Sequence, residues 1–140
     1  MKQIPVIFWT ATGNTQMMAD AIAEAINAAG AEAVVKNVSE ITADEAAGYD
    51  ALAFGCPAMG AEVLEECEFE PFFTELEGKL AGKKVALFGS YGWGGSYMQD
   101  WEARVKDAGA TLVADGVLAL GAPDDEAVAK LAEAGKLLAE

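Results

Sequence analysis

Histidine does not occur in this chain of 140 residues. Its absence removes the commonest general base, and with it Ser-His-Asp and Cys-His catalysis. Acid–base chemistry would rest on carboxylates, unless a bound cofactor does the chemistry. Cysteine is scarce too. Cys56 and Cys67 alone make no disulfide framework, and without His there is little to hold a metal. Neither thiol has a neighbouring cation to activate it, so both read as buried or incidental. No apolar run reaches the ~18 residues that cross a bilayer. The start, Met1-Lys2-Gln3-Ile4-Pro5, lacks the apolar stretch of a signal peptide, so a cytoplasmic setting is expected.

Positive charge is the next shortage. Nine Lys and Arg face 23 Asp and Glu, for a net charge of −14. Such a chain is repelled by nucleic acid and by anionic membranes. The acidity serves solubility, and it equally suits a face that steers basic protein partners. What is plentiful is apolar residue, at 53%. One domain over residues 1–140 is expected, large enough to bury about 68–70% of its unfolded surface.

The run Ile4 to Trp9 is apolar, as in a strand buried on both faces of a parallel sheet. Pro5 is tolerated there only near the strand start. Met18, Ala21, Ile22, Ala25, Ile26 and Ala29 recur at helical spacing, and Gly30 ends that helix. Glu32 to Val38 reads as a second strand. Thr42 with Glu45 makes a capping signal for a short helix. Ala51 to Gly55 is a third strand, and Glu65 to Glu77 a helix interrupted or started near Pro71. Val85 to Phe88 is a fourth strand, closing at Gly89. Met98, Trp101, Val105 and Ala108 mark a helix broken at Gly109. Thr111 to Val113 and Gly116 to Leu120 read as a last strand with a bend at Asp115-Gly116. Pro123 opens a final helix with Val128, Leu131 and Leu138 on its apolar stripe. Strand and helix alternate five times, which predicts a parallel sheet covered on both faces.

Three loops stand out. Thr10-Ala11-Thr12-Gly13-Asn14-Thr15 joins the first strand to its helix. The helix N-terminus offers backbone N–H groups and a favourable dipole to an anion. Threonine hydroxyls and the Asn14 amide add donors, and Gly13 permits close approach. No Lys or Arg lies between Lys2 and Lys36. A P-loop would need its lysine and a dinucleotide fingerprint its G-x-G-x-x-G. The loop therefore reads as a site for one phosphomonoester held by neutral donors, or as a plain helix cap. The second loop follows the strand end Cys56-Pro57 and runs Ala58-Met59-Gly60-Ala61-Glu62-Val63-Leu64. The third runs Ser90-Tyr91-Gly92-Trp93-Gly94-Gly95-Ser96, with no charge until Asp100. Following strands one, three and four, all three would share the carboxyl edge of the sheet, where such sheets bind ligands. A flat ring could lie between Met59 and Trp93, with Glu62 accepting from a ring N–H. The competing readings are core filling for Met59, a loop anchor for Trp93 and a solvated charge for Glu62. Trp9 could line the same site, though core packing suits it better.

The run Trp9 to Thr15, with Met59-Gly60-Ala61-Glu62 and Gly89-Ser90-Tyr91-Gly92-Trp93-Gly94, resembles the short-chain flavodoxins of anaerobic bacteria, the clostridial type most closely. The resemblance takes in Glu68-Phe69-Glu70-Pro71-Phe72 and Lys83 to Phe88, and so nearly the whole chain. It implies a flavodoxin-like three-layer α/β/α fold with a five-stranded parallel sheet of order 2-1-3-4-5. It also implies a low-potential one-electron carrier, not an enzyme, whose non-covalent FMN cycles between semiquinone and hydroquinone. Thr10, Thr12, Asn14 and Thr15 would bind the FMN phosphate, with backbone N–H groups of Ala11 and Gly13. Met59 and Trp93 would flank the isoalloxazine, Glu62 would take its N3–H, and the Gly92 backbone would meet the pyrimidine edge. Pro57, Ala58, Gly60, Ala61, Ser90, Tyr91 and Gly94 complete the expected set. The Met59–Gly60 peptide would flip on reduction, which glycine makes easy. Partners would be redox enzymes with basic docking faces, met by a monomer that binds neither nucleic acid nor membrane. Three residues depart from the family pattern: Ala11 for a common Gly, Pro57 for a Ser in some relatives, and Ala61 for Asp or Gly. A two-electron quinone-reductase type on the same fold is the alternative; it would need a substrate pocket over the flavin. A receiver domain is excluded, because Trp9-Thr10 and Gly55-Cys56 stand where its acidic residues belong.

Overall fold

The computed structural model describes residues 2–10, 13–57, 68–91 and 96–140. The elements run β1 (Gln3–Phe8), α1 (Asn14–Ala28), β2 (Glu32–Asn37), a 3-10 turn (Val38–Glu40), α2 (Ala43–Ala46), β3 (Ala51–Gly55), α3 (Phe69–Glu77), β4 (Lys84–Tyr91), α4 (Ser96–Asp107), β5 (Thr111–Leu112), β6 (Val117–Leu120) and α5 (Asp125–Ala139). All strand pairs are parallel, in the order β2-β1-β3-β4-β5, with β6 also on β4.

Alternation along the strands divides the core in two. Ile4, Val6, Phe8, Ala51, Ala53, Ala86 and Phe88 face α1 and α5. Ile7, Leu52, Phe54, Val85 and Leu87 face α3 and α4. Burial on both faces is why these strands read as unbroken apolar runs. The α1–α5 side uses small strand residues and close helix contact. A Cβ at Gly135 would lie 2.9 Å from the Ile22 carbonyl oxygen. The α3–α4 side is aromatic, with Phe69 and Phe73 meeting Trp101 edge-on at 5.5 and 5.8 Å.

Pro5 sits inside β1, at the edge of its pairing with β3. Pairing with β3 begins only at Val6. The Trp9 N–H donates to Gly55, so by the two-residue period the donor Pro5 lacks falls on the β3 side, ahead of that pairing. Thr42 and Glu45 form the expected reciprocal cap at 3.1 and 3.2 Å. Gly30 takes the positive φ of 94° after α1.

Several boundaries differ from the sequence reading. The fifth strand is two pieces. Val85 lies opposite Leu112 and Phe88 opposite Val117, so β4 advances three residues while its neighbour advances five. The excess bulges out, and Glu102 of α4 fastens it by accepting the Gly116 N–H at 2.7 Å. In α1 the buried stripe is Thr15, Met18, Ala19, Ile22, Ala23 and Ile26; Ala29 is exposed and Ala21 and Ala25 only half-buried. In α5, Leu131 and Leu138 are buried as expected, but Val128 is 41% exposed and Ala127 takes the inward place. Small residues let α5 approach α1 closely, so alanine and glycine, not the largest apolar side chain, mark the contact. α3 starts at Phe69, with Pro71 in its first turn, where a missing N–H is harmless. Asp124, not Pro123, caps α5 by accepting from the Ala127 N–H at 2.8 Å.

Candidate functional site

The carboxyl ends of β1, β3 and β4 are neighbours. Phe8 pairs with Gly55, and Gly55 with Phe88. Beyond that row, the Trp9 N–H donates to Gly55 at 3.0 Å and the Cys56 N–H to Phe88 at 3.1 Å. The chain leaves β1 for β2 on one side, while β3 adds on the other. That reversal opens a crevice between β1 and β3, where an α/β sheet binds its ligand. The three expected loops therefore leave one edge, around one switch point.

The first loop fits an anion. Gly13 has φ 91° and caps α1 without any side-chain cap bond. A Cβ there would meet nothing within 4 Å, so the space is open and only the backbone demands glycine. The Thr10 hydroxyl accepts the Gly13 N–H at 3.0 Å, leaving its own proton to donate. Asn14 is half-buried in the first turn. The Thr15 hydroxyl is buried and has no hydrogen-bond partner among the described residues. A helix of 15 residues thus presents an uncapped N-terminus and an unsatisfied hydroxyl to one place, and a phosphate oxygen would satisfy both. Ala11 and Thr12 lie outside the described residues.

Ahead of the second loop, Pro57 is half-buried after the buried Cys56, and Cys56 Sγ contacts the Pro57 carbonyl at 3.5 Å. Ala58, Met59, Gly60, Ala61 and Glu62 lie outside the described residues, as does Cys67. Of the third, Gly92, Trp93 and Gly94 lie outside them as well. Ser90 and Tyr91 belong to β4 and not to a loop, a correction to the expected strand end at Gly89. They pair with Ala119 and Leu120, so β6 carries the ladder two residues past Gly89. The Ser90 hydroxyl donates to the Gly121 carbonyl at 2.8 Å, so its side chain is committed to the strand end. Trp9 is half-buried against the α3–α4 core, and its indole N–H donates to Glu68 at 3.2 Å.

Two side chains that the sequence did not single out brace the elements beside these loops. Tyr97 opens α4 and is 2% exposed. Its hydroxyl donates to the Cys56 carbonyl at 2.8 Å. Gly89 is the reason they meet: a Cβ there would collide with both the Tyr97 hydroxyl and the Cys56 carbonyl. Burial, with a smaller contribution from nearby Cys56, pushes the Tyr97 hydroxyl far above its ordinary range, so it stays a donor. Arg104 on α4 donates to Glu70 at 2.7 and 2.9 Å and to Glu77 at 3.1 Å twice. It also lies 5.0 Å from the centre of the Phe73 ring. Burial works against its charge, but the bonds to Glu70 and Glu77 outweigh that and hold its pKa up. Burial alone would raise Glu70, yet the bonds from Arg104 and Thr74 win and lower it. Arg104 is the only arginine in the chain, which is the one signal that could have flagged it.

Charge is unevenly placed. Asp124 caps α5, and Asp125 and Glu126 stand in its first turn, so these carboxylates lie toward the loop edge, whereas Asp100 and Glu102 lie in the middle of α4. Lys2, Lys83 and Lys84 lie at the starts of β1 and β4, and Lys106 and Lys136 in the last turns of α4 and α5. No Lys or Arg occurs in residues 3–35, 37–78 or 85–103, so none lies in any of the three loops. Among the described residues no group of side chains could hold a metal ion, and no helix is long and apolar enough to cross a membrane.

The family model for flavodoxin matches residues 6–135. A flavodoxin of Clostridium beijerinckii is 47% identical over 135 residues, 96% of this chain and 97% of its own. One of Megasphaera elsdenii is 46% identical over 116 residues, 82% of this chain and 85% of its own. The solution structure of two-electron reduced Megasphaera elsdenii flavodoxin superposes with a TM-score of 0.89 at 42% identity, covering 97% of this chain and 98% of that one.

Proposed function

The chain belongs to the flavodoxin family, electron carriers that bind FMN and are not enzymes; from that membership we propose where its FMN sits and how this chain tunes it. The 140 residues act as one FMN-binding domain. Thr10, Ala11, Thr12, Gly13, Asn14 and Thr15 hold the phosphate. Met59 and Trp93 flank the isoalloxazine, and Glu62 accepts its N3–H. Pro57, Ala58, Gly60, Ala61, Ser90, Tyr91, Gly92 and Gly94 complete the site, Ser90 and Tyr91 through their backbone. The observation that carries this is the uncapped N-terminus of α1, with Gly13 at positive φ and the unsatisfied Thr15 hydroxyl, at the switch point of the sheet.

FMN supplies the redox chemistry, and the protein sets its cost. An electron added without a proton brings negative charge into a site without a Lys or Arg, in a chain of charge −14. Such charge is disfavoured in an apolar setting. About 59 mV of one-electron potential corresponds to ~1.4 kcal/mol, so a few unfavourable interactions make the carrier low-potential. Partners are redox enzymes with basic faces, which a chain of charge −14 with carboxylates at the start of α5 would attract. The protein works as a cytoplasmic monomer. The two-electron reductase reading is not favoured by the family.

The test is stepwise anaerobic reduction of the FMN-loaded protein, followed by its visible spectrum. A one-electron reduced form accumulating midway, with the second step only at strongly negative potential, is expected. Direct passage to the two-electron form would refute the one-electron carrier. Failure to retain FMN would refute the phosphate site.

A further inference from the structure

We propose that Tyr97 is a positioning residue whose hydroxyl sets the spacing between the supports of the two loops that flank the flavin ring. This rests on the ring lying between Met59 and Trp93, as proposed above. Cys56 is the last buried residue before residues 58–67, which carry Met59. Tyr97 stands two positions after residues 92–95, which carry Trp93. A 2.8 Å hydrogen bond, buried and 41 residues distant in sequence, joins the Tyr97 hydroxyl to the Cys56 carbonyl.

The surroundings leave this bond little freedom. Cys56 is held from its other side by the N–H bond to Phe88. The Tyr97 ring lies near parallel to Trp101, at 6.4 Å between centres, and Trp101 is wedged edge-on against Phe69 and Phe73. Gly89 closes the remaining side, where any Cβ would pry the two oxygens apart. A tyrosine that stays protonated cannot lose the bond by titration. The bond therefore acts as a fixed spacer between a strand end and a helix start. By linkage, whatever it contributes to flavin binding, the flavin returns to the bond.

The experiment compares wild type with Tyr97→Phe, which keeps the ring and removes one oxygen. Affinities for FMN and riboflavin are measured where both proteins are folded, together with the two one-electron potentials and the melting of each apo-protein. Affinity for both flavins is expected to fall equally, by about threefold to tenfold, as the loss of one net hydrogen bond allows. The potentials shift with it. The equality separates this effect from the phosphate loop, whose loss would spare riboflavin. A lower apo melting temperature with unchanged affinities and potentials would mean a merely structural tyrosine and overturns the proposal. If the variant does not fold, exchange of the Tyr97 hydroxyl proton in wild type decides: FMN slows it several-fold if the bond and the flavin are coupled, and unchanged exchange overturns the coupling. A wild-type protein that binds neither flavin refutes the flavin reading itself, a result distinct from either, and the spacer falls with it.

Discussion

Replacing Arg104 by Ala should cost stability in a way that depends on pH. Arg104 makes two bonds to Glu70 and two to Glu77. Charge-assisted bonds of this kind contribute ~1.5–3 kcal/mol when buried. Both carboxylates are about a third exposed, so solvent screening brings each pairing nearer ~1 kcal/mol. The guanidinium 5.0 Å from the Phe73 ring centre adds ~0.5–1 kcal/mol. The deficit is then roughly 2.5–3 kcal/mol, or about 8 °C for a chain of this length. The sign with pH follows from Glu70. Its folded pKa lies below the ordinary 4.5, so its contribution is complete above that value and lost as pH falls through the lowered one. Urea unfolding of apo wild type and Arg104→Ala at pH 7 and pH 3 measures this. The gap should be smaller at pH 3 than at pH 7, because falling pH moves Glu70 toward its lowered folded pKa and removes part of its pairing. A gap below ~0.5 kcal/mol at pH 7, as for an ordinary surface pair, or an equal gap at both pH values, refutes the reasoning.

Gly89→Ala should destabilise by at least ~1–3 kcal/mol, since the colliding Cys56 carbonyl is backbone and cannot swing aside; chemical denaturation checks it, and an unchanged midpoint would contradict the packing. Gly135→Ala sets two effects against each other. Helix propensity gains ~1 kcal/mol, but the new Cβ would be 2.9 Å from the Ile22 oxygen and 3.0 Å from Ala25 Cβ. The α1–α5 contact should win, giving a lower melting temperature; a rise would show that the helices part cheaply. Thr12→Ala should weaken FMN far more than riboflavin in titrations followed by flavin fluorescence, and an equal loss for both would place Thr12 away from the phosphate.

Much of the fold was legible because local signals and buried alternation agree. Apolar runs marked β1, β3 and β4, and Gly30 and the Thr42–Glu45 cap marked helix ends. The errors share a cause. Size alone points to Val128, whereas close helix packing on α1 favours Ala127, Ala134 and Gly135. Gly89 reads locally as a strand terminator, which puts Ser90 and Tyr91 in a loop. That glycine instead makes room for the Tyr97–Cys56 bond. The candidate site was legible in its loops but not in its braces. Tyr97, Arg104 and Glu102 carry no motif, since each acts on a residue far away in the chain.

The sequence by itself determined the alternation of strand and helix, the three glycine- and hydroxyl-bearing loops, and the acidic composition with no Lys or Arg in those loops. These are local or summed properties, written in spacing and composition. Only the tertiary structure decided the break in the fifth strand, the uncapped N-terminus of α1 with its buried hydroxyl, and the side chains that hold the loop supports together. Those depend on which backbone atoms come within hydrogen-bond reach once the sheet is paired, and a bond spanning 41 residues leaves no periodicity for a sequence to show.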